Sequence, residues 1–212
     1  METMKIKITL TEGLLGTAPA NPEIYREFIG SKSPDAQTIE EEVSAIGADA
    51  VFEKAMTVFP KLDDGTPFLF DYQIKGFFKD ACSMLARVKG ENATLSSRLK
   101  AYKKIIDGMI FVEPRMVPIL FDGEIGICQR PLRANTMQGE RIALSSSEEI
   151  PAGATLQFDV VVLDKNHLNL VREWLDYGAL RGIGQWRNSG KGRFTYEELE
   201  DTVPRETSTA DE

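Results

Sequence analysis

A chain of 212 residues with 42% apolar side chains is long enough for one domain with a sizeable core. No apolar run approaches the roughly 20 residues of a membrane helix, and the formal charge of -8 argues against a strong nonspecific grip on duplex nucleic acid. Cys82 and Cys128 stand in no metal-ligand spacing and no secretory segment precedes them, so the expectation is two reduced thiols in a cytoplasmic protein without a cofactor.

In chain order, Met4 to Thr11 alternates Ile6, Ile8 and Leu10 with Lys5, Lys7 and Thr9, the pattern of a half-buried strand. A glycine-punctuated loop, Glu12 to Pro19, leads to a short helix over Pro22 to Ile29 and a longer one over Ala36 to Phe59. After the turn at Leu62 to Pro67 comes the short strand Phe68-Leu69-Phe70. Asp71 is then the expected N-cap of a helix over Tyr72 to Val88, whose Ile74, Phe77, Phe78, Ala81, Cys82 and Leu85 recur at helical spacing. Another helix is expected over Leu95 to Ile106, with Arg98, Lys100, Lys103 and Lys104 on its solvated side.

The second half predicts strands over Met109 to Leu120, Glu124 to Leu132, Arg141 to Ser147 and Leu156 to Leu163. Asp164 or Asn166 should cap a helix over His167 to Tyr177 that Gly178 closes, and a last strand covers Arg193 to Tyr196. This order predicts an α+β fold with a ferredoxin-like, RRM-like β-α-β-β-α-β core. A helical insertion (36–59) follows the first strand, and a β-hairpin elaboration sits in the middle. Residues 1–197 form the single domain. Residues 198–212 form an acidic tail expected to be disordered, since from Glu197 onward seven acids stand against one arginine.

The richest segment is Leu180 to Tyr196, Leu-Arg-Gly-Ile-Gly-Gln-Trp-Arg-Asn-Ser-Gly-Lys-Gly-Arg-Phe-Thr-Tyr. Four glycines (Gly182, Gly184, Gly190, Gly192) and four cations (Arg181, Arg187, Lys191, Arg193) surround one tryptophan before the first acid. Glycines let backbone N–H groups approach an anion, cations neutralise it, and Trp186 offers a face for a stacked base. A P-loop is excluded because Gly190-Lys191 is followed by Gly192, and a dinucleotide fingerprint because Gly182-x-Gly184 lacks the third glycine at Arg187. A glycine-rich turn with solvated charges and Trp186 in the core stands as the alternative. Further candidate phosphate contacts are Lys75 at a helix start and Arg130, Arg133 and Arg141 in the central hairpin, with single-stranded RNA favoured over duplex.

Four segments, in this order, resemble the RAMP superfamily of CRISPR-associated RNA-binding proteins, most of all the subunits that coat guide RNA. They are Leu10 to Thr17 with its Gly-Leu-Leu-Gly-Thr loop, Pro67 to Lys79, Ile150 to Gly153 before a strand, and Leu180 to Phe194. The second is similar to the family's Pro-x-Ile-Pro-Gly-Ser-Ser-Leu-Lys-Gly helix start; Lys75 and Gly76 are retained, while Tyr72-Gln73 replaces the two serines. The resemblance implies a non-catalytic subunit of an antiviral effector. It would bind single-stranded guide RNA in an oligomer with copies of itself or other CRISPR-associated proteins, away from membranes. Two alternatives stay open. One is a RAMP-fold protein of a virus or mobile element that imitates or joins a host complex and inhibits it. The other is an RNA endonuclease using Asp35 or His167. The Glu40-Glu41-Glu42 run reads more simply as a solvated helix face than as a metal site.

Overall fold

The structure, a computed structural model, describes residues 1–20, 56–136 and 139–200, and within these the side chains of 132–136 and 139–144 are not described. The expected helix over 22–29 and residues 36–55 of the one expected over 36–59, with Asp35 and the glutamate run, lie outside the described residues, as does most of the tail.

The fold is α+β. Its main sheet has the order β11-β1-β10-β7-β5, with β6 also paired to β10. These strands are β1 (Glu2–Leu10), β5 (Phe68–Phe70), β6 (Ile110–Glu113), β7 (Met116–Leu120), β10 (Thr155–Val162) and β11 (Phe194–Leu199). Helix α1 (Asp71–Leu85) lies in the chain between β1 and β6, and α3 (Leu168–Arg181) between β10 and β11; α2 (Tyr102–Met109) runs directly into β6. Strands β1 and β6 both pair antiparallel with β10, so β10 separates them, and β11 pairs antiparallel with β1 on its other side. A second sheet, of order β2-β9-β4-β3 with β8 also on β9, holds β2 (Leu14–Leu15), β3 (Ala18–Pro19), β4 (Thr57–Val58), β8 (Gly126–Thr136) and β9 (Gly139–Ile150).

Period-two alternation puts Ile6, Ile8 and Leu10 of β1 and Leu156, Phe158, Val160 and Val162 of β10 into the core. Helical spacing adds Ile74, Phe77, Phe78, Ala81 and Cys82 of α1 and Leu170, Val171, Trp174 and Leu175 of α3. At the centre the Phe78 and Trp174 rings lie 5.6 Å apart, both fully buried. Phe78→Ala is expected to cost about 3–5 kcal/mol through lost contacts and the cavity left behind, read as a shift in the urea midpoint.

Several local expectations are corrected. Asp71 is the first residue of α1 rather than its cap; the cap position is Phe70, whose N–H donates to Gln73 Oε1 at 2.8 Å. The expected helix over Leu95 to Ile106 is divided into a short turn at Ser96–Arg98 and α2, and Ala101 between them has φ 53°. Glu173 of α3 draws off the turn's amides, accepting from the Leu95 and Ser96 N–H groups at 2.6 and 3.0 Å and from Ser96 Oγ at 2.5 Å. The expected strand over Met109 to Leu120 is two, parted at Pro114, which has no N–H to give a ladder. Thr57 and Val58, expected to end a helix, pair instead as β4 with Ala18–Pro19 and with Ser147. The strand over Arg141 to Ser147 extends into a long ladder with β8. Helix α3 runs through Gly178 to Arg181, because Gly178 is a packing glycine: a Cβ there would collide with the Phe194 ring. Strand β11 runs from Phe194 to Leu199, past the expected end of the last strand at Tyr196.

Candidate nucleic-acid interface

The glycine loop begins where α3 ends. Gly182, at φ 75°, donates its N–H to the Gly178 carbonyl, and buried Ile183 anchors the next step. Gly182, Gly184, Gly190 and Gly192 all take positive φ. The loop is closed at its base by backbone bonds. Ile183 N–H donates to Gly192 O at 2.9 Å, and Gly192 N–H donates to Gly13 O at 2.8 Å. Thr11 N–H then donates to Arg193 O at 2.8 Å, and a turn at Arg187–Ser189 forms the tip.

All four segments of the resemblance meet here. Gly153 N–H donates to Leu10 O, Leu14 pairs with Ile150, and Gln73 Nε2 donates to Thr17 Oγ1 at 2.8 Å. The structure thus gathers Arg130, Arg181, Gly182, Gly184, Trp186, Arg187, Gly190, Lys191, Gly192 and Arg193 around one loop.

The cations are not equally available. Arg181 Nε donates to Asp80 Oδ2 at 2.9 Å and its Nη1 to Asn188 Oδ1, while Arg187 Nη1 reaches the same Asp80 oxygen at 2.7 Å. Lys191 Nζ meets Glu149 Oε1 at 2.5 Å, and that hydrogen bond lifts its pKa. Arg193 is exposed and pairs with no carboxylate among the described residues.

Arg130 is the opposite case: only 6% exposed, with its guanidinium 4.7 Å from the centre of the Trp186 ring. Its Nη2 donates to Gln185 Oε1 at 3.2 Å. Gln185 Nε2 in turn donates to the Gly16 carbonyl and to Thr57 Oγ1, which is 2.7 Å from Ser147 Oγ. Trp186 is therefore neither a core residue nor a free platform. One face covers Arg130, and 37% of the side chain's residue surface remains exposed.

Lys75 stands elsewhere. Its Nζ donates to Asp107 O at 3.1 Å and sits 5.0 Å from the Phe111 ring centre, and burial pushes its pKa down. It lines an open concavity of about 660 Å³ that also presents Asp71, Glu113 and Asp159, so the cations there are balanced by acids. Arg133 and Arg141 occupy adjoining register positions of the β8–β9 ladder, and their side chains lie outside the described residues. His167 takes the N-cap position of α3, with Nδ1 buried and unpartnered among the described residues.

Sequence reasoning missed Asp80, Glu149 and Gln185. Asp80 is 101 positions from Arg181, and nothing local marks it from other polar helix residues. Gln185 sat in view between Gly184 and Trp186, but an amide without its partners signals nothing.

No protein-family model matches the chain, and no curated protein does. Among solved structures it is similar to a chain described as "Cryo-EM structure of the Type III-B Cmr-beta bound to cognate target RNA", with TM-score 0.47 and 10% identity. The alignment covers 94% of this chain and 60% of that one, so this chain spans less than two thirds of that structure's length. Among the described residues no helix is long and apolar enough to cross a membrane, and no three His, Cys, Asp or Glu side chains are grouped to hold a metal ion.

Proposed function

We propose that the chain is a RAMP-class, non-catalytic protein that binds single-stranded RNA at the glycine loop. In the cytoplasm it would serve as a guide-coating subunit beside copies of itself or other CRISPR-associated proteins. Strand order β11-β1-β10-β6, with α1 and α3 as the two crossovers, supports a ferredoxin-like core for it. The observation that carries the reading is the loop itself. Closed against the first loop by backbone bonds, it carries Trp186 and Arg187 at the tip and Lys191 and Arg193 on the returning limb. Cations that neutralise backbone phosphates beside an aromatic that takes a base make a binder of single strands with little sequence preference.

The test is fluorescence anisotropy with a labelled single-stranded RNA across a salt series. Combined Arg187→Ala, Lys191→Ala and Arg193→Ala substitution is expected to weaken binding about tenfold and to flatten the salt dependence. Full affinity in the triple variant would remove the site assignment.

One observation favours a second reading. Asp80 and Glu149 engage three of the loop's four cations from within the fold, two of them on one carboxylate. A RAMP-fold protein that joins or imitates a host complex needs the shape of the loop without its grip on RNA. It would bind free RNA poorly and copurify stably with CRISPR proteins.

A further inference from the structure

The buried guanidinium of Arg130 is the least satisfied group near the loop. Its Nη2 is bonded to Gln185, but Nε and Nη1 are buried and have no hydrogen-bond partner among the described residues. A guanidinium cannot discharge itself by losing a proton, and a buried unpaired donor is destabilising. The Trp186 face offsets part of the charge and accepts none of the in-plane N–H groups.

A second observation points to the same place. Trp186, the residue over Arg130, holds φ 55° and ψ 33°, a left-handed backbone that bulky side chains rarely adopt. Strain of this kind persists where a surrounding structure holds it, and it gathers at ligand clamps. The positive-φ glycines Gly184 and Gly190 stand before and after it in the chain, positions where backbone rearrangement meets no Cβ penalty. Arg181, Arg187 and Lys191 already have carboxylate partners, which leaves Arg130 as the buried cation with donors to spare.

We infer that Arg130 is the anchor of a site for one phosphate group, with Trp186 as its movable outer wall. Phosphate oxygens accept the Nε and Nη1 protons, Gln185 holds the guanidinium from the other side, and displacement of Trp186 admits the ligand and relieves its backbone. The site rests on the RNA-binding reading only for what carries the phosphate. A phosphodiester of single-stranded RNA and free inorganic phosphate share the chemistry.

The experiment uses the full chain with R130Q and R130K. Melting is followed in inorganic phosphate against chloride at equal ionic strength, and affinity is measured for a single-stranded RNA and for an uncharged-backbone strand of the same sequence. Phosphate is expected to raise the wild-type melting temperature and to change the tryptophan emission. W186F should abolish the emission change, since Trp174 is fully buried in the core. R130Q should melt at or above wild type without phosphate, lose the phosphate response, and bind RNA about tenfold more weakly. R130K, which keeps the charge but not the fork, should fall between. The uncharged strand should bind wild type and R130Q alike.

Phosphate protection of R130Q equal to that of wild type would overturn the inference. So would a large destabilisation of R130Q with no phosphate response in wild type, which would reveal an acceptor within the protein. Equal RNA binding by wild type and R130Q with no Arg130-dependent phosphate response removes this site and leaves the RNA reading standing. Arg130-dependent phosphate protection without RNA binding does the reverse.

Discussion

Replacing Asp80 with alanine is expected to unfasten the glycine loop from helix α1 and to lower stability by about 2 kcal/mol. One carboxylate takes two guanidinium groups, at 2.9 Å from Arg181 and 2.7 Å from Arg187, and each of the three side chains is about three-quarters buried. Without it two largely buried charges lose their carboxylate, which costs more than the pair itself contributes. The same change frees both arginines, so affinity for single-stranded RNA at low salt is expected to rise about threefold, with a steeper salt dependence. A fall in affinity would mean that the pairs hold the loop in its binding shape.

The acid side adds a check. Burial pushes the Asp80 carboxyl up, but the Arg181 hydrogen bonds and the Arg187 charge outweigh it and hold it below its ordinary 3.8. The contribution is therefore full above that value and is lost as the pH falls through the depressed folded value. Urea midpoints of wild type and Asp80→Ala should stay apart above 3.8 and draw together only as the pH falls below it.

Gly192→Ala is expected to be more damaging still, about 3 kcal/mol or more. Left-handed backbone costs a non-glycine residue roughly 1–2 kcal/mol, and Gly192 sits at φ 70°. The added Cβ would also run into the Ile183 carbonyl oxygen. Relief of that clash breaks the Ile183–Gly192 and Gly192–Gly13 backbone bonds that close the loop, leaving buried groups unpaired at roughly 1–3 kcal/mol. Gly65→Ala is the control. Gly65 has φ 86° and open space around it, so only the backbone penalty of about 1 kcal/mol should appear in the denaturation midpoint.

The strands and helices that build the core were readable because their periodicity is strong and local. Ile6, Ile8 and Leu10 alternate, and Ile74, Phe77, Phe78 and Ala81 recur at helical spacing, whatever the rest of the chain does. What failed depended on distant partners. Gly178 has the look of a helix stop, yet it is small because Phe194 lies against it. The segment after Leu95 has helical spacing, but Glu173 takes its first amides. The loop's glycines and cations were visible as a group, and their unequal availability was not. Asp80 and Glu149 reach them from 101 and 42 positions away, and Arg130 comes from 55 positions before its Gln185 partner.

Strand β11 is an outermost strand of the main sheet, and its exposed Glu197 and Glu198 lie on it, with Glu200 just beyond. Lys7 holds Glu197 at 2.7 Å and Arg172 holds Glu198 at 2.6 Å, so this edge carries fixed charged pairs, and charged side chains on a border strand are one way natural sheets avoid growing sideways into fibres. A second copy approaching this edge would meet charge before it reached unpaired backbone, which disfavours joining the two sheets through β11.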